Sequence, residues 1–235
     1  MVENKIEKAT VLVCEDKIEK IFSKDSDLSQ ITYDELIDLE GKYLGPAFVD
    51  VHVHGADGAD AMDIDEEALR RISKYLAKEG TANFLVTTLT STKDELKNVL
   101  EIAGKLQNKE IDGANIFGVH MEGPYFAVEY KGAQNEKYIK PAGIEELEEY
   151  LSVKEGLVKL FSISPHTQEN LEAIKYLQSM GYSCDFFMIG TYENSSLDMQ
   201  LKKIKSFKYK SKLYKVYYGE DKNKGKDIRF KFWNL

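Results

Sequence analysis

Two of the four histidines in the chain, His52 and His54, stand one residue apart in "FVDVHVHG", residues 48–55, with Asp50 just before them. Alternation along a strand puts Asp50, His52 and His54 on one face and Val49, Val51 and Val53 on the other. Two imidazoles at the C-terminal end of a strand have the donor type and spacing to hold zinc or another divalent first-row metal. The competing reading is a pair of histidines hydrogen-bonded in or near the core. His120 and Glu122 in "GVHMEGPYF", residues 118–126, repeat the spacing at a second predicted strand end, before a Gly-Pro turn. A carboxylate there can bind a cation or position a water. The bland alternative is a solvent-facing Glu122 above a packed His120. Taken together, His52, His54 and Glu122 supply three protein ligands of a catalytic metal with one open position.

Other polar stretches read differently. "GADGADAMD" lacks the spacing of a dinucleotide fingerprint and the lysine of a phosphate loop, so Asp57, Asp60 and Asp63 are expected as loop and cap acids. "EYKGAQN", residues 129–135, lines a pocket through its backbone or Gln134, or is a plain surface loop. His166 in "SISPHT" is expected in a cap or surface role. Cys14 and Cys184 have neither zinc-site nor disulfide spacing, and are expected as small buried hydrophobes.

A site at strand ends needs strands that lie side by side. From residue 48 onward, strand-like and helix-like segments alternate. "FVDVHVHG", "TANFLVTTLT", "NIFGVHMEGP", "LVKLFSISP" and "YSCDFFMIG" read as strands. Between them, "DEEALRRISKYLAKEG", "STKDELKNVLEIAGKL", "AGIEELEEYLSV" and "TQENLEAIKYLQSMG" read as helices, with Ser or Thr caps before two of them and glycine stops after two. Such alternation means βα units on a parallel sheet. The segments from "ATVLV" to "ITYDELIDLEGKYLGPAF" read as short strands of a small β unit, with Asp and Glu alternating with Ile and Leu in "DELIDLEGKYLGP" as in a half-exposed strand. Late in the chain, "SSLDMQLKKIKSF" reads as a short helix and "KYKSKLYKVYYGE" as a strand.

Composition narrows the function classes. No apolar run approaches the ~18 residues of a membrane span, and "MVENKIEKATVL" has acids where a signal peptide has basic and then apolar residues. A cytoplasmic protein is expected. The net charge of −8 hides an asymmetry. Residues 201–235 hold 12 Lys and Arg against 3 Asp and Glu, and the first 200 hold 20 against 37. Lysines interleaved with aromatics in "FKYKSKLYKVYY" suit single-stranded nucleic acid. The acidic remainder argues against that partner.

"GPAFVDVHVHGADGADAMD", "FGVHMEGPYF" and "KGAQN", in that order, resemble the N-acetylglucosamine-6-phosphate deacetylases of the amidohydrolase superfamily. The HMEGP and KGAQN blocks separate this group from other amidohydrolases, and the resemblance runs from about residue 10 to 181. It implies an α/β chain of TIM-barrel (β/α)8 type, incomplete at five to six βα units, with a small N-terminal β domain. On that basis, residues 1–46 form the small domain, 47–190 the partial barrel and 191–235 a divergent basic tail. The resemblance further implies a divalent metal, zinc or iron, and a cytoplasmic homodimer. Its reaction would be hydrolysis of the acetamide of N-acetylglucosamine 6-phosphate. Glu122 matches the family's metal-binding glutamate, and His52 and His54 match a pair found in members that hold a second metal. Ala133 matches a position that contacts the sugar through its backbone, with Gln134 beside it.

Departures from the family pattern cluster late in the chain. Thr191 follows Gly190 where the family has a metal-binding histidine. Lys212 stands in the slot of another, and Lys215 replaces an asparagine. Protonated lysine repels a cation. The proton-shuttling aspartate would come later still. Lost ligands, reversed charge and early end together predict a degenerate or frame-shifted copy, and so a catalytically inactive binding protein as the rival to a working deacetylase.

Overall fold

The computed structural model describes residues 6–15, 17–185, 206–209, 212–215 and 233–234. It divides into two units, Met1–Gly45 and Pro46–Leu235.

In the first unit, β1 (Ala9–Cys14) pairs antiparallel with β2 (Lys17–Ser23). No further strand forms among its described residues. The strand expected in "DELIDLEGKYLGP" is irregular, held by local bonds such as Lys42 N–H to the Leu39 carbonyl. Leu36, Ile37, Tyr43 and Leu44 are exposed there. Alternating side chains alone do not make a strand, because its N–H and C=O groups need a partner ladder. Cys14 is also exposed, against expectation, since a lone hairpin has no second layer to cover its end.

The second unit is built on helices whose starts the sequence marks. Asp65 accepts from Glu67 N–H to open α1 (Glu66–Lys78). Thr92 and Glu95 form a reciprocal capping box on α2 (Lys93–Leu106), and Thr167 caps α4 (Gln168–Ser179). Helix α3 (Ile144–Ser152) starts at Gly143 without a side-chain cap. Each helix buries one stripe. Leu69, Ile72 and Leu76 on α1, Leu96, Val99, Leu100 and Ala103 on α2, Leu147 and Tyr150 on α3, and Ala173, Ile174 and Leu177 on α4 join one core.

Between the helices run β3 (Phe48–Val53), β6 (Thr81–Thr87), β7 (Asn115–Glu122), β8 (Val158–Ser162) and β9 (Ser183–Asp185). A minor hairpin, β4 (Gly55–Ala56) and β5 (Ala59–Asp60), follows β3. The five long strands form one parallel sheet in the order β3-β6-β7-β8-β9. Chain order equals spatial order, as in barrels and unlike doubly wound sheets, where the order reverses at a switch point. Of "YSCDFFMIG", residues 186–190 lie outside the described residues. So does most of the helix expected in "SSLDMQLKKIKSF". Further on, β10 (Ser206–Tyr209), β11 (Lys212–Lys215) and β12 (Trp233–Asn234) form an antiparallel sheet, so "KYKSKLYKVYYGE" holds strand β11 and the end of β10. No helix among the described residues is long and apolar enough to cross a membrane.

One buried polar node ties the loop after β7 to α3. Tyr125 and Tyr150, 1% and 0% exposed, both donate to Glu146 Oε1, at 2.7 and 3.2 Å, and Lys140 donates to Oε2. Burial opposes ionisation of Glu146, but the Lys140 and Tyr125 hydrogen bonds outweigh it and hold the carboxyl below its usual range. A carboxyl depressed in the fold stabilises it above the unfolded value of about 4.3, and that contribution is lost as pH falls through the folded value. Glu146→Leu leaves two buried phenols without an acceptor and should cost about 2–3 kcal/mol at pH 7. Urea unfolding should show that gap narrowing below about pH 4.

Candidate metal centre

The end of β3 is irregular, and that irregularity aims its histidines. The β3–β6 register pairs Asp50 with Phe84 but Val53 with Val86, so one extra residue is accommodated in β3. The backbone groups this frees find side-chain partners. Asp50 Oδ1 accepts from His52 N–H at 2.9 Å. Val53 N–H donates to Thr87 Oγ1 at 3.0 Å. The Val51 carbonyl accepts from His120 Nδ1 at 3.2 Å. Strict alternation is broken as well: Val53 packs on the core, while Val49 and Val51 are exposed.

His52 and His54 leave this bulge with their side chains 35% and 31% exposed, and meet Glu122, 7% exposed, the last residue of β7. His52 Nε2 lies 2.7 Å from Glu122 Oε2, and His54 Nε2 lies 3.2 Å from it. The two Nε2 atoms are 3.2 Å apart. Strand β6 separates the two contributing strands, yet their side chains meet above it, as side chains of alternate barrel strands do. All three groups sit at the C-terminal edge of the sheet, where barrel enzymes place their chemistry.

Three observations fit a divalent cation at this point. Oε2 is buried and receives no properly directed hydrogen bond, despite its two imidazole neighbours. His54 Nδ1 faces the Thr87 carbonyl at 3.2 Å, so Nδ1 carries the proton and the Nε2 lone pair turns toward Oε2. Tetrahedral zinc with bonds of about 2.0–2.1 Å sets donor atoms about 3.3 Å apart, and two of the three spacings, at 3.2 Å, match it, while His52 Nε2 to Glu122 Oε2 is 2.7 Å. Contact with Glu122 raises the His54 pKa despite partial burial. Glu122 is pushed up by burial, but contact with His54 and the charge of His52 outweigh this and hold it low. The site favours positive charge between these groups.

Glu122 is itself gripped. Its N–H donates to Thr88 Oγ1 at 3.1 Å. Its Oε1 accepts from Gln134 Nε2 at 2.8 Å, and Gln134 Oε1 accepts from Thr90 N–H at 2.7 Å. Gly123 follows at φ +82, where a Cβ would stand 2.1 Å from Thr90 Oγ1. Only glycine permits that approach.

His120 shares the Glu122 strand but stays out of the cluster. It is fully buried, and its Nε2 accepts from Ser162 Oγ at 2.8 Å. Burial, then the neighbouring His52, push it down to about 4, so it is neutral at pH 7. The packed-core reading holds for His120, and the solvent-facing reading fails for Glu122. Asp57 and Gly58, both with positive φ, make the turn of the β4–β5 hairpin. Asp60 and Asp63 form a capping box on the short helix Ala61–Asp63. His166 is half-buried, with Nδ1 3.3 Å from the Ser164 carbonyl, and lies outside the cluster. Ala133 is exposed. Thr191 lies outside the described residues, and Lys212 and Lys215 are described only as the ends of β11. Thr87, Thr88, Thr90 and Ser162 escaped notice in the sequence. Hydroxyls in "TTLT" at a strand end were the available signal.

No family model matches the chain. The N-acetylglucosamine-6-phosphate deacetylase of Vibrio furnissii is 34% identical over 138 residues, 59% of this chain and 35% of that protein. The Bacillus subtilis deacetylase of the same name is 32% identical over 147 residues, 37% of its length. Over this stretch the chain is similar in sequence to the N-acetylglucosamine-6-phosphate deacetylases. It spans little more than a third of these curated relatives. Among solved structures, the Thermotoga maritima deacetylase is 30% identical, with a TM-score of 0.53 over 68% of this chain and 41% of that one. The Pasteurella multocida deacetylase, at 22% identity, supports the fold with a TM-score of 0.64 over 83% of this chain and 50% of that one. The fold of this chain is thus similar to part of these deacetylase structures.

Two outcomes are expected. Gly123→Ala should lower stability by about 2–3 kcal/mol in denaturant unfolding, through both the clash and the positive φ. In chelator competition, Glu122→Gln should weaken zinc binding by more than the roughly 10–100-fold typical of outer-shell changes.

Proposed function

We propose that this chain is a metal-dependent amidohydrolase segment that acts on the acetamide of N-acetylglucosamine 6-phosphate, releasing glucosamine 6-phosphate and acetate. The observation that carries this is the meeting of His52, His54 and Glu122 at the C-terminal edge of a sheet related to the deacetylases. One relative is named an N-acetylgalactosamine-6-phosphate deacetylase, so the epimeric sugar belongs in the same test.

His52, His54 and Glu122 would hold the metal, which we take to be zinc or iron. A metal held there would supply Lewis acidity for the amide carbonyl and for the activation of water. The Thr87 carbonyl fixes the His54 tautomer, so Nε2 keeps its lone pair for the cation. Buried His120 keeps the β3 bulge in shape without competing for the ion. Ala133 offers an exposed backbone position to the sugar. The same reading takes residues 1–46 as a small domain, 47–190 as part of a (β/α)8 barrel of five to six βα units, and 191–235 as a basic tail. It also takes the protein as a cytoplasmic homodimer.

Acetate release from N-acetylglucosamine 6-phosphate by the full chain, with zinc or iron supplied, tests the proposal. Turnover that disappears in Glu122→Gln is the expected result. Zinc binding without acetate release from either sugar epimer would overturn the catalytic reading. The chain would then be a metal-binding relative that lacks turnover.

A further inference from the structure

We propose that Gln134 is a positioning residue that commits Glu122 to bind its metal through one oxygen, Oε2. This deepens the metal reading of the His52–His54–Glu122 cluster and rests on it. The Gln134 side chain is 6% exposed, and its amide orientation is set by chemistry. Its partner at Thr90 is a backbone N–H at 2.7 Å, which needs an acceptor, so the Gln134 carbonyl oxygen must lie there. The NH2 group must then face Glu122 Oε1, at 2.8 Å. The two carboxylate oxygens therefore have different fates. Oε1 is bound by the amide, and Oε2 is left facing the two imidazole nitrogens without a directed hydrogen bond.

Without this contact, the last torsion of Glu122 has no polar restraint on Oε1. The carboxylate could then turn about that torsion, or bind a cation through both oxygens. Thr88 holds only the Glu122 backbone, and Gly123 leaves no side chain beside it. The amide also joins two segments. Thr90 follows β6, and Gln134 belongs to the loop after β7, beside exposed Ala133. With its carbonyl oxygen and one N–H engaged, the Gln134 side chain acts on the metal ligand and not as the principal sugar contact.

The test measures zinc affinity by chelator competition on the full-length wild type, Gln134→Met, Glu122→Gln and the double variant. Gln134→Met should weaken zinc binding by roughly 10–100-fold. It should add nothing further in the Glu122→Gln background, where the ligand to be positioned is already changed. Cobalt substituted at the site should show visible bands of altered intensity in Gln134→Met, as Glu122 becomes free to bind through both oxygens. Gln134→Asn, too short to span both partners but still an amide, should show the same losses and serves if Gln134→Met does not fold. Wild-type affinity with an unchanged cobalt spectrum in either variant would overturn the proposal. So would an equal loss in both backgrounds, which marks a purely structural role. A wild-type chain that binds neither zinc nor cobalt would instead defeat the metal reading beneath it.

Discussion

A buried carboxylate oxygen facing two imidazole nitrogens at 2.7 and 3.2 Å is the constraint on which this site depends. Lone pairs that converge in a partly desolvated place repel one another unless a proton or a cation lies between them. The contributing residues come from β3 and β7, and the strand between them must let their side chains pass. Strand β6 does so by ending in Thr87, whose hydroxyl serves the β3 backbone and whose carbonyl orients His54.

The bulge in β3 has the same logic. An extra residue in a strand leaves backbone groups outside the ladder, and buried groups of this kind must be satisfied. Asp50, Thr87 and His120 each take one. Two residues that look like potential ligands, Asp50 and His120, are therefore spent on holding the strand that carries the real candidates. The depressed pKa of His120 follows from this buried service, and does not mark it as an acid or base.

The similarity to the deacetylases covers little more than a third of their length. In this chain the candidate ligands stand at strand ends, beside the turn at Gly123 and the loop that carries Gln134. Among the described residues, hydrogen bonds link the cluster across β3, β6, β7 and the loop after β7, with Ser162 of β8 holding His120.

Much of this was legible in the sequence because it is local. Asp65, Thr92 and Thr167 announce helix starts by chemistry that acts within one turn. The strands after residue 47 show as apolar runs between those helices, and the strand-end positions of His52, His54 and Glu122 marked them as candidates. Other features needed the fold. A strand between residues 31 and 47 was read from alternation, but strands exist only through partners, and none lies beside it among the described residues. No spacing rule separates His120 from Glu122 two positions away. Their fates differ because Ser162 and the Val51 carbonyl surround one, and two imidazoles the other. The sequence by itself thus determined the βα order and the residues able to bind a metal. Only the tertiary structure decided which of them meet, because convergence depends on strand order, a bulge and part-buried hydrogen bonds between residues 33 to 69 positions apart.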